Sequence, residues 1–209
     1  MPVVWTLAAL VMLLLWSEGR GWRLGVWLAK PLASAAFVVL ALQLGGRDTG
    51  YGLWVLAGLL ACWIGDVLLI PKHRLAFKIG IVAFLLGHVL YSIAFLVHGV
   101  AFAWAFFAAV PLGTMARTLG RLILIRVHRG LRKPVSAYIL VISGMLALGI
   151  GAWARSGDPV FVVAPSAFYV SDLAVARNRF LRPGFVNRLI GLPLYYLAQV
   201  LFAWSVTLG

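Results

Sequence analysis

The sequence predicts an all-α protein, a single transmembrane bundle of eight helices occupying residues 1–209. Hydrophobic residues make up 64% of the chain and charged residues only 11%, whereas soluble domains carry about 25% charged residues. The apolar residues form near-continuous runs, which favours membrane helices over the alternating pattern of a membrane β-barrel. The basic residues fall in the breaks between these runs, as they do in loops of membrane proteins.

Each helix is placed on an apolar run that approaches the roughly 20 residues needed to span a bilayer. The helices are expected at residues 2–17, 24–44, 52–70, 77–97, 100–117, 134–154, 160–176 and 188–207. The first is expected to be retained, because residues 1–5 lack the basic start of a cleaved signal. Residues 119–132 mix basic and aliphatic side chains, which predicts an amphipathic helix along the membrane surface.

The distribution of positive charge predicts the orientation. The net charge is +13, and most Lys and Arg residues lie in the first, third, fifth and seventh loops. The positive-inside bias places these loops in the cytoplasm and both termini outside. The expected location is the inner membrane of a bacterium. With the charge divided among loops, neither a nucleic-acid surface nor an obligate protein partner is indicated.

Two aspartates, Asp66 and Asp172, lie inside predicted membrane helices of a chain with five acidic residues. A carboxylate at membrane depth is costly, so its default interpretation is functional. Both are expected about one to two turns from the cytoplasmic end of an inward-running helix, at a similar depth. Burial favours the neutral acid and neighbouring carboxylates repel, so the pair would supply one acid and one base. The alternative is a structural ion pair with Lys30 or a basic loop residue.

Further polar side chains on neighbouring helices are expected to line the same cluster. They are Lys30, His88, Tyr91, Tyr138, Ser171, Tyr195, Tyr196 and Gln199. Lys30 would hold a phosphate or keep one aspartate ionised, unless it only snorkels to the membrane surface. His88, Gln199 and the tyrosines have the alternative of interhelical hydrogen bonds. Ser171 would bond along its own helix or favour an ionised Asp172, which makes Asp66 the preferred proton donor.

The two halves of the chain, residues 1–100 and 101–209, resemble each other. Lys30-Pro31, Gly65-Asp66 and Gly87 to Tyr91 recur at a nearly constant offset as Lys133-Pro134, Ser171-Asp172 and Gly191 to Tyr195. The pattern predicts a parallel repeat of four helices with the site between the halves. Chance recurrence of Gly, Leu and Pro in membrane helices is the alternative.

No cofactor or metal is expected. The sequence lacks His and Cys at zinc-ligand spacing, the Gly-x-Ser-x-Gly nucleophile turn and a Walker phosphate loop. The single cysteine, Cys62, lies in an apolar run and is expected to be a small core residue. Hydrolysis in this chain would therefore be metal-free acid–base chemistry.

Six phrases follow one another along the chain: Lys30-Pro31, residues 65–69, residues 84–91, residues 134–138 with Met145, residues 168–172 and residues 195–199. As an ordered set they resemble the YhhN-like family of integral membrane proteins, whose animal members include lysoplasmalogenases. The resemblance implies hydrolysis of the vinyl ether bond of a lysophospholipid, the lysoplasmalogen, to a fatty aldehyde and a glycerophospho-base. Asp66 and Asp172 would serve as the acid–base pair.

At the cytoplasmic rim, the phosphate would be held by Lys30 and by Lys72, Arg74 or Arg177.

Three other functions would use the same features of the sequence. A proton-coupled transporter would also place aspartates at a repeat interface. A lipid-binding scaffold would use them only to pair with Lys30, and another lysolipid hydrolase would attack an ester or amide.

Overall fold

The computed structural model describes residues 2–71 and 73–209, and these form an all-helical bundle. Within these ranges, eight helices are long and apolar enough to cross a membrane, so the predicted fold class is confirmed and the chain is an integral membrane protein. The helices are α1 Pro2–Arg20, α2 Arg23–Gln43, α3 Gly50–Leu68, α4 Arg74–His98, α5 Phe102–Leu124, α6 Arg129–Ser156, α7 Val160–Ala176 and α8 Phe185–Ser205. A π-helix, Arg177–Leu181, continues α7, and a short 3₁₀ turn, Val206–Leu208, follows α8.

Polar side chains and glycine define several helix ends. The hydroxyl of Thr49 accepts a hydrogen bond from the backbone N–H of Gly52 at 3.0 Å and caps α3. Gly157 ends α6 in the left-handed conformation, with φ of 78°. Immediately afterwards, Oδ1 of Asp158 accepts from the N–H of Val160 at 2.9 Å and starts α7. Asp158 thus has a local structural role.

Successive helices pack as hairpins, α1 with α2, α3 with α4, α5 with α6 and α7 with α8. Within each half the second hairpin packs on the first through α2 with α3 and α6 with α7, and the halves meet through α4 with α6 and α2 with α8. This arrangement has the pairing that a four-helix repeat would produce, and the repeat itself stays a prediction. α5 packs mainly on α6 and is the least buried helix.

Close contact between α3 and α4 depends on glycine. A Cβ at Gly87 would lie 2.6 Å from Sγ of Cys62, and one at Gly58 would lie 2.5 Å from the ring of Tyr91. Small residues allow membrane helices to approach in this way. Cys62 is fully buried. α3 and α4 are therefore closely packed against each other.

The surface helix predicted over residues 119–132 is wrong. α5 continues to Leu124, a short turn follows, and α6 begins at Arg129. Ile123, Val127 and Val135 are buried together in a second apolar cluster, while Arg121 and Arg126 are exposed. Part of the apolar side of this segment therefore packs against protein, although Leu122 and Ile125 stay exposed.

Candidate active site

The carboxylate of Asp66 on α3 is buried among hydrogen-bond donors from two other helices. Nζ of Lys30 on α2 lies 3.1 Å from Oδ1. The hydroxyl of Ser34, one turn further along α2, donates to Oδ2 at 2.7 Å. The phenol of Tyr195 on α8 donates to the same oxygen at 2.5 Å. Asp66 is 2% exposed, and its contacts join α2, α3 and α8 at one buried point on the wall of the bundle's interior.

The carboxylate of Asp172 on α7 has a different set of neighbours. The phenol of Tyr138 on α6 donates to Oδ2 at 2.8 Å, and Nε2 of His88 on α4 lies 3.2 Å from the same oxygen. Nδ1 of His88 lies 2.6 Å from the backbone carbonyl of Phe84. The side chain of Asp172 is 17% exposed. Asp172 is therefore more accessible than Asp66. The basic side chain that contacts it is His88, which carries a positive charge only when protonated, whereas Asp66 contacts Lys30.

His88 is a fully buried side chain with one unsatisfied nitrogen. Because a carbonyl oxygen can only accept, Nδ1 must carry a proton to bond Phe84. The approach of Nε2 to Asp172 is not aligned as a hydrogen bond, so Nε2 is without a partner in the part of the chain that the structure describes. Unpaired buried polar atoms are rare and mark functional or strained sites.

Both carboxylates line one cavity of about 300 Å³. The predicted site residues on its wall are Lys30, Asp66, Tyr138, Ser171, Asp172 and Tyr195. The remainder is largely aliphatic and aromatic, with Ile81, Ile139 and Ile142 among the lining side chains. The structure thus brings the two aspartates to one apolar chamber, as the sequence predicts, each through its own set of partners.

Four of the supporting residues have other contacts. Tyr91 donates to Oε1 of Gln199 at 2.6 Å, so these two residues form an interhelical hydrogen bond in the core. The ring of Tyr91 stacks on that of Phe202 at 3.9 Å. The hydroxyl of Tyr196 lies 3.2 Å from that of Ser34 and supports the Asp66 side. The hydroxyl of Ser171 donates to the carbonyl of Gly191 at 2.9 Å. Its bond to α8 removes the reason for treating Asp172 as the ionised partner.

A second chamber adjoins the first at the end of the bundle where loops one, three and seven converge. It encloses about 480 Å³ and shares Glu18, Lys30 and Arg179 with the first chamber. We call it the vestibule. Its wall includes the basic side chains Arg23, Lys30, His73, Arg74, Arg179 and Arg188. A polar, cationic opening therefore leads to the apolar chamber that holds the carboxylates.

Several rim residues are held in place by defined contacts. The guanidinium of Arg179, in the π-helix, lies 4.1 Å above the ring of Phe77. Arg177 instead donates to Oδ1 of buried Asn187 at 2.5 Å and lies outside both linings. Arg74 lines the vestibule, whereas Lys72 lies outside the described residues. Single-turn π segments in helices often occur at functional sites.

Sequence reasoning missed Ser34 and Glu18. Ser34 follows Lys30 by four residues, the spacing that puts two side chains on one helix face. This signal is weak, because a serine four residues from another polar residue is common in helices. Glu18 falls just outside the first predicted helix, which was expected to end at residue 17. α1 continues to Arg20, and Glu18 lines both chambers.

The family is decided by comparison with known proteins. The model of the YhhN family matches residues 25–206. The chain belongs to the YhhN family. The family predicted from the ordered phrases is thereby confirmed. This YhhN protein is also 28% identical, over 210 residues, to a protein described as Lysoplasmalogenase TMEM86B from Sus scrofa, covering 99% of this chain and 85% of that one. No solved structure matches.

The site of this YhhN protein is suited to proton transfer in an apolar setting. Among the described residues no group of three His, Cys, Asp or Glu side chains is placed to hold a metal ion. The charged groups are instead arranged as Asp66 with a cation and Asp172 with a histidine. Such unequal environments are how proteins give two carboxylates different protonation states.

Proposed function

We propose that this protein is a membrane-embedded hydrolase of the vinyl ether bond of lysoplasmalogens. One observation carries the proposal: Asp66 and Asp172 line a single apolar chamber but have unlike partners. Membership of the YhhN family and the similarity to a protein named lysoplasmalogenase support the choice of substrate. The reaction adds water to the vinyl ether and releases a fatty aldehyde and a glycerophospho-base.

Asp66 is the ionised partner in this mechanism. Lys30 offers it a positive charge at 3.1 Å, and Ser34 and Tyr195 donate to it. A carboxylate that receives three donors is stabilised in its charged form. It faces the chamber as a fixed negative charge, which stabilises a cation that forms there.

Asp172 is the proton donor. The phenol of Tyr138 donates to Oδ2, which leaves Oδ1 to carry the acidic proton. His88 uses its Nδ1 proton on Phe84, so the ring meets this side of Asp172 with Nε2. The assignment reverses the sequence-based preference for Asp66 as the acid, because Lys30 adjoins Asp66 and Ser171 does not bond Asp172.

The reaction then follows from the two protonation states. The proton of Asp172 adds to the outer alkene carbon, and the ether oxygen and its carbon become an oxocarbenium ion. Asp66 stabilises that cation and takes a proton from the water that attacks it, as paired carboxylates do in glycoside hydrolysis. As the hemiacetal collapses, the ionised Asp172 takes its hydroxyl proton, and Asp66 gives the proton that it took from water to the departing glycerol oxygen. The products are the aldehyde and a free glycerol hydroxyl, and both aspartates regain their starting protonation states.

The chambers fit the two ends of such a lipid. The aliphatic wall of the first chamber accommodates the alkyl chain, and the cationic vestibule accommodates the phosphate. Because loops one, three and seven, which form the vestibule, belong with loop five to the basic loops, the substrate comes from the cytoplasmic leaflet of the inner membrane. No cofactor or metal takes part in these steps.

The test is product identification with purified protein. A panel of lysolipids with one head group and one chain length, joined by vinyl ether, alkyl ether, ester or amide, is incubated and analysed by mass spectrometry. We expect aldehyde from the vinyl ether alone. Release of fatty acid from the ester or amide would make the protein another lysolipid hydrolase, and flux into proteoliposomes without any product would make it a carrier.

A further inference from the structure

The first chamber is closed on the side away from the vestibule. Along α4 its lining ends at Phe84, and the next turns bring in His88 and Tyr91, which are fully buried. The ring of His88 packs 4.4 Å from that of Phe168, and Tyr91 stacks on Phe202 at 3.9 Å. These packed rings form a floor, and the two aspartates lie just above it.

This floor limits where the chain of a bound lipid can lie. In the proposed reaction the head group is in the vestibule and the vinyl ether is at the carboxylates, so the alkyl chain begins close to the floor. The chamber of about 300 Å³ is at the lower limit of the range, about 300–1,000 Å³, that is usual for pockets of drug-sized ligands. It has room for the vinyl ether and the first carbons, and a long chain has to leave sideways.

Apolar side chains of α4 and α5 lie on the wall of this chamber without packing together. Ile81 on α4 and Leu119 and Ile123 on α5 all line it, yet α5 packs mainly on α6. The second apolar cluster, which contains Ile123, joins α5, α6, α7 and the π-helix. Among the residues that the structure describes, it includes no side chain of α4.

We call the gap between α4 and the second apolar cluster the seam. At the vestibule end it is bounded by Arg179, which lies 4.1 Å above the ring of Phe77. At the floor it is bounded by the rings of His88 and Tyr138, whose centroids are 5.2 Å apart. Phe77 and His88 lie three turns apart on α4, which corresponds to about 16 Å. Ile81 lies between these two contacts.

We propose that the seam is a lateral opening to the bilayer that takes the alkyl chain of the bound lipid. This inference rests on the proposed function, because it places the chain of the same substrate. The first carbons lie between Ile81 and Leu119, and the remainder of the chain lies among the membrane lipids. The protein therefore encloses the reacting end of the lipid and leaves the far end of its chain outside.

A competing explanation is that the whole chain folds up inside a closed chamber. A closed chamber would reject a bulky group at the end of the chain, because that group would have to fit within the protein. With a lateral opening, the same group lies in the bilayer and has little effect on binding. The two explanations therefore differ in the affinity for a lipid with an enlarged tail.

The first measurement compares saturated 1-O-hexadecyl glycerophosphocholine with the same lipid carrying pyrene at the end of its chain. Neither probe has a vinyl ether or an ester, so binding is scored without turnover. Each probe displaces the tritiated hexadecyl lipid from wild-type protein in nanodiscs, and its affinity is expressed as a mole fraction of the bilayer. We expect affinities within about threefold of each other. A larger loss for the pyrene lipid would overturn the inference.

The second measurement narrows the seam with Ile81→Trp and Leu119→Trp. Val82→Trp and Leu122→Trp are the matched controls, because these side chains are exposed on the outside of the same helices. The readout is the ratio of kcat/KM for vinyl ether lysolipids with chains of sixteen and six carbons. That ratio should fall about tenfold in the seam variants and stay near the wild-type value in the controls.

An equal loss for both chain lengths would mean that tryptophan only fills the chamber, and it would overturn the inference. The outcomes also separate the inference from the function on which it rests. If the pyrene lipid binds well but no vinyl ether is cleaved, the proposed function fails and the lateral opening stands. If aldehyde forms but the pyrene lipid is rejected, the lateral opening fails alone.

Discussion

His88 presents Nε2 to Asp172 at 3.2 Å while its Nδ1 lies 2.6 Å from the carbonyl of Phe84. This relationship distinguishes the two aspartates, because the other one meets the ammonium group of Lys30. A histidine whose tautomer is fixed by the backbone can accept or return a proton at a defined atom. Each half of the chain thus contributes one carboxylate, and helices from both halves supply its partners.

The first prediction concerns the two carboxylates. Asp66→Asn and Asp172→Asn should each lower kcat for aldehyde release by about two to four orders of magnitude, the usual contribution of a positioned acid or base. The measurement is turnover of a lysoplasmalogen by purified, monodisperse protein. Asp158→Asn is the control, because asparagine keeps the oxygen that caps α7. Near-normal turnover by either site variant would remove that residue from the mechanism.

The second prediction tests the donor. In D₂O the aldehyde should carry one deuterium on the carbon next to the carbonyl, because protonation there starts the reaction. The deuterium should occupy a single stereochemical position, since Asp172 approaches one face of the alkene. Immediate reduction to the alcohol prevents later exchange, and NMR with mass spectrometry reads the label. An equal mixture of the two stereoisomers at that carbon would show that bulk water, and not a fixed side chain, supplies the proton.

The third prediction separates the ion pair of Lys30 and Asp66 from either residue alone. Lys30→Met leaves a buried carboxylate without its cation, and loss of one partner of a buried pair costs about 3–5 kcal/mol. The double variant K30M/D66N removes both charges and should recover most of that loss. Thermal unfolding in detergent gives the comparison. If K30M is as stable as wild type, the 3.1 Å contact contributes nothing to the folded state.

The helices were predictable because each one is an apolar run, and membrane-spanning length is a strong constraint on such runs. Their rotation was not predictable. Tyr91 and Tyr195 have similar phrases around them, yet one meets Gln199 and the other meets Asp66. Packing of α4 and α8 against their neighbours decides which tyrosine faces the chamber. A single sequence does not show how each helix is rotated about its axis in that packing.

The ends of the helices were harder to predict for a related reason. The sequence becomes less apolar around Glu18, which suggested that the first helix ends before this residue. The helix continues to Arg20, and α1 packs beside α8. The surface helix expected over residues 119–132 failed in the same way, since Ile123 and Val127 pack against protein. At the ends of membrane helices, an amphipathic pattern does not reveal whether its apolar side meets lipid or a neighbouring helix.

The fourth prediction concerns the close packing of α3 against α4. Gly87→Ala places a methyl group 2.6 Å from Sγ of Cys62 and 3.3 Å from the carbonyl of Gly58. Overpacking of this kind typically costs about 1–3 kcal/mol, and the neighbouring backbone limits relaxation. Gly144→Ala on α6 is the matched control. A Cβ there has no neighbour within 4 Å, so alanine should be neutral or stabilise the helix by up to about 1 kcal/mol.

The comparison of these two glycines also bears on activity. Gly87 adjoins His88, so a shift of α4 that accommodates the new methyl group would move Nε2 relative to Asp172. We expect G87A to lower the unfolding temperature in detergent and to lower kcat, while KM changes little. G144A should keep both values near wild type. Wild-type stability in G87A would show that α3 and α4 can separate at this point without cost, and that their close contact does not stabilise the bundle.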